Sequence, residues 1–126
     1  MNKEDLKRRT KQFALRIIKL VEELPNTKTG NVIGNQIIRS GTSVAANYRA
    51  SCRARSSADF ISKITIVEEE ADETLFWLEL IVESGLMKKE RLQELIKEAD
   101  ELTAIFTASG KTAKANNPKS KIRNPQ

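Results

Sequence analysis

Residues 39–56 read RSGTSVAANYRASCRARS. Small residues crowd this stretch, and that crowding decides the fold class. On a helix, positions three and four apart share a face. Gly41 and Ala45, with Ala46, Ala50 and Ala54 nearby, are all small. Small side chains on one face let two helix backbones come close. Ser40, Ser43 and Ser51 are short enough to sit at such a contact and bond back to a carbonyl. Asn47 is the polar residue expected to be partly buried. A buried amide without partners costs about 1–3 kcal/mol, so Asn47 must be satisfied, and a satisfied Asn fixes helix register. The stretch reads first as a packing and register device inside a helical bundle.

The flanking sequence has the same helical period. Leu6, Phe13, Ile17, Leu20 and Leu24 form a stripe, widened by Ile18 and Val21, and predict a helix over about 3–24. Pro25 ends it, and PNTKTGN reads as a loop. Asn31 is the expected cap of a second helix over about 32–55, with Val32, Ile33, Ile37, Ile38, Val44, Ala45 and Tyr48 on its apolar side. Gly41 is its weak point, at about 1 kcal/mol relative to alanine. Ser56 or Ser57 caps a third helix over about 57–84, with Asp59 in its first turn and Gly85 as its stop. Its apolar surface, from Phe60 to Val82 and including Phe76 and Trp77, is wide enough to meet more than one neighbour. Leu92, Leu95, Ile96, Ala99, Leu102, Ile105 and Phe106 predict a fourth helix over about 88–109, ended by Gly110. The expectation is an all-α, antiparallel up-and-down four-helix bundle over 1–110, followed by a basic disordered tail over 111–126.

Composition excludes several function classes. The chain has 126 residues, one cysteine and no histidine. Without histidine there is no Ser-His-Asp or Cys-His nucleophile pair, no Glu-x-x-His di-iron motif and almost no zinc chemistry. Cys52 has arginines nearby but no base, and reads as a small packing residue. A Gly-rich phosphate loop is missing too. The expected catalytic, cofactor and metal sites are therefore none. The rival enzyme reading is a carboxylate-bound Mg²⁺ at Glu69, Asp72 and Glu73. No apolar run approaches the roughly 20 residues of a membrane span, and no secretory leader opens the chain. A lone cysteine fits a reducing, cytoplasmic setting.

Charge is distributed unevenly. Residues 1–55 carry 12 Lys and Arg against 4 Asp and Glu, and residues 56–110 carry 5 against 13. The last 16 residues carry 5 cations and no carboxylate. Halves of opposite sign can pair within one chain or between neighbours in a ring. Arg49 and Arg53 share a face, Arg39 and Arg55 lie at the two ends of the stretch, and the expected partners of these arginines are the carboxylates of Glu68, Glu69, Glu70, Asp72 and Glu73 on the third helix. The opposing reading is a basic face for phosphate, which requires those arginines to stay unpaired. Base stacking would need aromatics among them, and only Tyr48 is at hand.

The segment QIIRSGTSVAANYRASCRARSSADFISKITIVEEEADETLFWLELIVESGL, residues 36–86, resembles the signature of a bacterial four-helix-bundle family. Its members include proteins encoded within intervening sequences of large-subunit ribosomal RNA genes, and the accessory variability determinant of diversity-generating retroelements is a relative. The resemblance spans roughly residues 10–108, and the RSGTS…ANYRA and EEADETLFWLEL blocks carry it. It implies an antiparallel bundle assembled as a homopentamer, with no known enzymatic activity. Relatives like the retroelement protein bind nucleic acid through a basic surface and dock a reverse transcriptase. Arg39, Ser40, Ser43 and Asn47 fall on the family's RS-x-x-S-x-x-x-N pattern, and Glu73 and Glu79 on its acidic third-helix positions. The expected polar network comprises these first four residues with Arg49, Arg53, Glu69 and Glu73.

The leading expectation is therefore a non-enzymatic oligomeric scaffold that binds RNA or DNA electrostatically, without strong sequence preference. Lys111, Lys114, Lys119, Lys121 and Arg123 of the tail would supply phosphate contacts. Lys7, Arg8, Arg9 and Lys11 would extend the patch from the first helix. The rival is a protein-interaction module that docks a partner such as a reverse transcriptase.

Overall fold

A computed structural model of the chain describes residues 1–117. It contains α1 (Lys3–Glu23), α2 (Lys28–Ser51), α3 (Ser57–Glu83) and α4 (Lys89–Asn116). Each helix packs on the next, and α4 returns to touch α1. Diagonal pairs, α1 with α3 and α2 with α4, do not pack on one another. This is the four-helix bundle that the apolar stripes predict.

The ends of the helices have local causes. Asn2 and Asp5 form a reciprocal capping box at the start of α1. Ser56 accepts the Asp59 N–H at 3.0 Å and caps α3, and Gly85, at φ +78°, ends it. The second helix departs from expectation at both ends, starting at Lys28 and stopping at Ser51 rather than spanning 32–55. Thr27, not Asn31, is its cap, accepting the Gly30 N–H at 3.1 Å. Gly30 is therefore a first-turn residue and not part of a loop. A Cβ there would lie 2.1 Å from the Pro25 carbonyl oxygen. Replacing Thr27 with alanine is expected to cost about 1 kcal/mol, read as a melting temperature lower by about 3 °C.

The fourth helix also departs from expectation, because it does not stop at Gly110. Its backbone stays helical through Asn116, with no left-handed residue to end it. Lys111 and Lys114 therefore stand on helix and not in a tail. The remainder of the expected tail, from 118 onward, lies outside the described residues.

The core runs the length of the bundle. Phe13 and Ile17 of α1, Ile37 and Val44 of α2, Ile64 and Leu78 of α3, and Leu92, Leu102 and Phe106 of α4 are all buried. Tyr48 joins this core, its ring 5.4 Å from that of Phe106. Among the described residues no buried side-chain nitrogen or oxygen lacks a hydrogen-bond partner. Several residues expected on apolar stripes face water instead: Ile18, Val32 and Phe76, the last 51% exposed.

Candidate nucleic-acid interface

The polar residues of the opening stretch separate by rotation around α2. Arg39 reaches α3, where its guanidinium bonds Glu70 and Glu73. Glu73 also accepts the Trp77 indole N–H at 3.0 Å. The Ser40 hydroxyl is buried and shares a 2.9 Å hydrogen bond with Thr74 Oγ1, which also lies 2.7 Å from the Glu70 carbonyl. This α2–α3 cluster fixes the register of the two helices. Glu70 was an expected arginine partner, but Thr74 was not singled out from sequence and Trp77 was read only as apolar, although the Glu73-to-Trp77 spacing of four residues is a readable signal.

Asn47 plays a smaller part than expected. Its amide donates to the Ser43 carbonyl at 3.0 Å and the Ser43 hydroxyl at 2.8 Å, so it is satisfied within α2 and does not cross to another helix. Glu69 is exposed and makes no hydrogen bond or ion pair among the described residues.

The Trp77 N–H, and then Arg39, hold the Glu73 carboxyl below the usual carboxylate range. A depressed folded-state pKa gives stability that is present above the unfolded value and lost as pH falls through the folded one. Thermal melts of the native chain should therefore fall steeply below about pH 4.5. The Glu73→Gln variant should show a shallower acid limb, and Trp77 emission should report the same transition.

Arg49 and Arg53 do not pair with α3. Ten residues separate Arg39 from Arg49, and at 100° per residue this turns Arg49 about 80° away from the carboxylates. Both arginines instead line a groove of about 640 Å³ facing α1, walled by Glu4, Lys7, Arg8 and Lys11 and floored by Thr42, Ala45 and Ala46. A second hollow of about 590 Å³ continues from Ala46, Arg49 and Arg53 toward Arg55, Asp59 and Lys63 at the start of α3. The small residues of α2 thus form the floor of a basic channel as well as a helix contact. Lys63 was missed as a site residue because its place depends on how α3 leaves the turn after α2.

The cations of the channel are unequally engaged. Lys7 pairs with Glu4, Arg8 with Asp5, and Lys63 with Asp59. The Lys63 ammonium and the Arg55 backbone N–H hold the Asp59 carboxyl below its ordinary range. Lys11, Arg49, Arg53 and Arg55 make no ion pair among the described residues. Arg9 points elsewhere. Its guanidinium grips Glu98 with two 2.7 Å bonds and reaches Glu101 at 2.9 Å, tying α1 to α4. This bidentate geometry raises the Arg9 pKa, with the Glu98 hydrogen bond the largest cause. Arg9 is a helix clamp and not part of the basic channel.

Lys111 and Lys114 are exposed on the last turns of α4. Ala113 and Asn116 of those turns face Arg55 and Met1 across a hollow at that end of the bundle. Lys119, Lys121 and Arg123 lie outside the described residues. Among the described residues no cluster of three or more His, Cys, Asp or Glu is placed to hold a metal ion, and no helix is long and apolar enough to cross a membrane.

The chain can be compared with known proteins at this point. A crystal structure of a protein of unknown function, described as belonging to the S23 ribosomal protein family of Bacteroides thetaiotaomicron, is 35% identical and superposes with a TM-score of 0.81. The match covers 88% of this chain and 99% of that one. No curated protein matches. The family model of the 23S rRNA-intervening sequence proteins matches residues 2–108, which takes in all of α1, α2 and α3 and most of α4. The chain belongs to the 23S rRNA-intervening sequence protein family.

Proposed function

We propose that this protein is a non-enzymatic, oligomeric scaffold that holds nucleic acid by its phosphate backbone in the channel between α1 and α2. The observation that carries this reading is the state of Arg49 and Arg53. Both line an open groove, and neither has a carboxylate partner among the described residues. Phosphate binding requires cations left unneutralised by their own chain.

The channel supports backbone contact without base readout. Tyr48, the one aromatic residue of the opening stretch, is 6% exposed and packed on Phe106. It offers no stacking platform. Affinity should therefore vary little with base sequence and fall steeply with salt. A homopentamer, as the family resemblance implies, would repeat the channel five times and raise avidity along a continuous strand.

Fluorescence anisotropy with RNA and DNA oligonucleotides across a salt series tests the proposal. The intact chain is compared with one ending at Asn117, which leaves α4 whole. Salt-steep binding retained by the shortened chain supports the channel. Binding lost with the last nine residues would move the site to the tail. No binding at physiological salt by either chain would end the nucleic-acid reading and favour a protein partner.

A further inference from the structure

We infer that the outward face of α3 is a docking surface for the outward face of α1 on a second copy of this chain. This rests on the oligomeric scaffold proposed above and names the surfaces that would build it.

The α3 face has one exposed aromatic ring among unpaired carboxylates. Phe76 is 51% exposed, its ring edge-on to Trp77 at 5.0 Å. Glu69, Asp72, Glu79 and Glu83 are exposed around it, and none makes an ion pair among the described residues. An apolar group rimmed in this way marks an interaction surface. The α1 face has the inverse pattern. Leu15 is 50% and Ile18 37% exposed. Lys11 and Lys19 flank them, exposed and without an ion pair among the described residues, and Glu22 stands at the far end.

The spacings match. Lys11, Leu15 and Lys19 are four residues apart and form one stripe about 12 Å long. Asp72, Phe76 and Glu79 step by four and three and form a stripe about 10 Å long. Laying one on the other sets Leu15 against Phe76 and a lysine beside a carboxylate at each end. A foreign partner would have to supply such a stripe, whereas this chain already carries one of similar length and opposite sign.

One copy cannot satisfy both faces alone. The two helices are diagonal in the bundle and do not pack together. The contact is therefore heterologous, each copy giving its α1 to one neighbour and its α3 to another, and it closes into a ring when the rotation allows.

Light scattering after size exclusion, on the full chain without nucleic acid, tests this. Three variants are needed: Lys11→Glu with Lys19→Glu, Asp72→Lys with Glu79→Lys, and Phe76→Ser as a second lesion of the α3 face. All the altered residues are exposed, so far-UV circular dichroism should stay native. The wild type should be a multimer and each variant a monomer. Mixing the two charge-reversed variants should restore association beyond the monomer, because both unlike contacts, the acidic α3 of one on the basic α1 of the other and the reverse, are complementary, while a five-membered ring would keep one like-charged seam. A monomeric wild type would overturn both the docking and the oligomeric scaffold, leaving phosphate binding in the channel to stand alone. Variants that remain multimeric, or monomers that show no association at all on mixing, would overturn this pairing of faces and spare the scaffold.

Discussion

The chain carrying Arg49→Ala and Arg53→Ala is expected to bind duplex DNA roughly 10- to 100-fold more weakly than the native chain near 0.1 M salt. The magnitude follows from counterion release. Each phosphate neutralised contributes about 0.9 to the slope of log K against log salt on duplex DNA. Two lost contacts lower that slope by about 1.8 and, at 0.1 M, lower affinity by a factor of about 60. The loss should be similar for oligonucleotides of unrelated sequence, because no base-reading group lines the channel. Arg39→Ala is the informative control. It removes one cation, half the charge lost in the double variant, but Arg39 is committed to Glu70 and Glu73 on the α3 side. Its slope should match the native chain. An equal loss per cation removed in the two variants would show that general charge, and not the channel, attracts the ligand.

The two arginine sets also show what a sequence can reveal. Apolar periodicity was enough for the bundle, because burying the stripes that contain Phe13, Ile37, Leu78 and Phe106 leaves few other arrangements. The ends of α3 were readable too, since Ser56 caps its own first turn with its hydroxyl and Gly85 acts through its own backbone. The start of α2 was not. Thr27 and Asn31 are both good caps, and the choice fell to Thr27 because Gly30 lets the Pro25 carbonyl come close. The partners of Arg9, Arg49 and Arg53 were further out of reach. Charge balance favoured pairing with the acidic third helix, but pairing depends on rotation. Arg9 faces α4, where Glu98 waits, while Arg49 and Arg53 face the cations of α1. The groove keeps its positive charge because those last two were turned away from the carboxylates that would have neutralised them.

Gly41 is the residue that the small run was built around, and replacing it should separate helix propensity from helix packing. An added Cβ would lie 2.9 Å from both Cγ atoms of Ile17 and 3.1 Å from its Cβ. Ile17 is fully buried and β-branched, so it has essentially one rotamer in a helix and cannot swing aside. Alanine gains about 1 kcal/mol in helix propensity over glycine, against an overpacking cost of about 1–3 kcal/mol. Because the obstructing atoms include a Cβ fixed to the α1 backbone, the cost should fall at the upper end. Gly41→Ala is therefore expected to be destabilising by about 1–2 kcal/mol, and Gly41→Leu by about 3 kcal/mol or more. Gly34, two turns earlier in α2, makes the opposite case. A Cβ there meets Val21 and Leu24 side chains at 3.4 and 3.5 Å, which is ordinary contact. Gly34→Ala should raise stability by about 0.5–1 kcal/mol. Urea or thermal unfolding of the two alanine variants decides the matter by sign. If both stabilise, α1 has room to retreat from α2, and the close approach at Gly41 is not what holds the two helices in register.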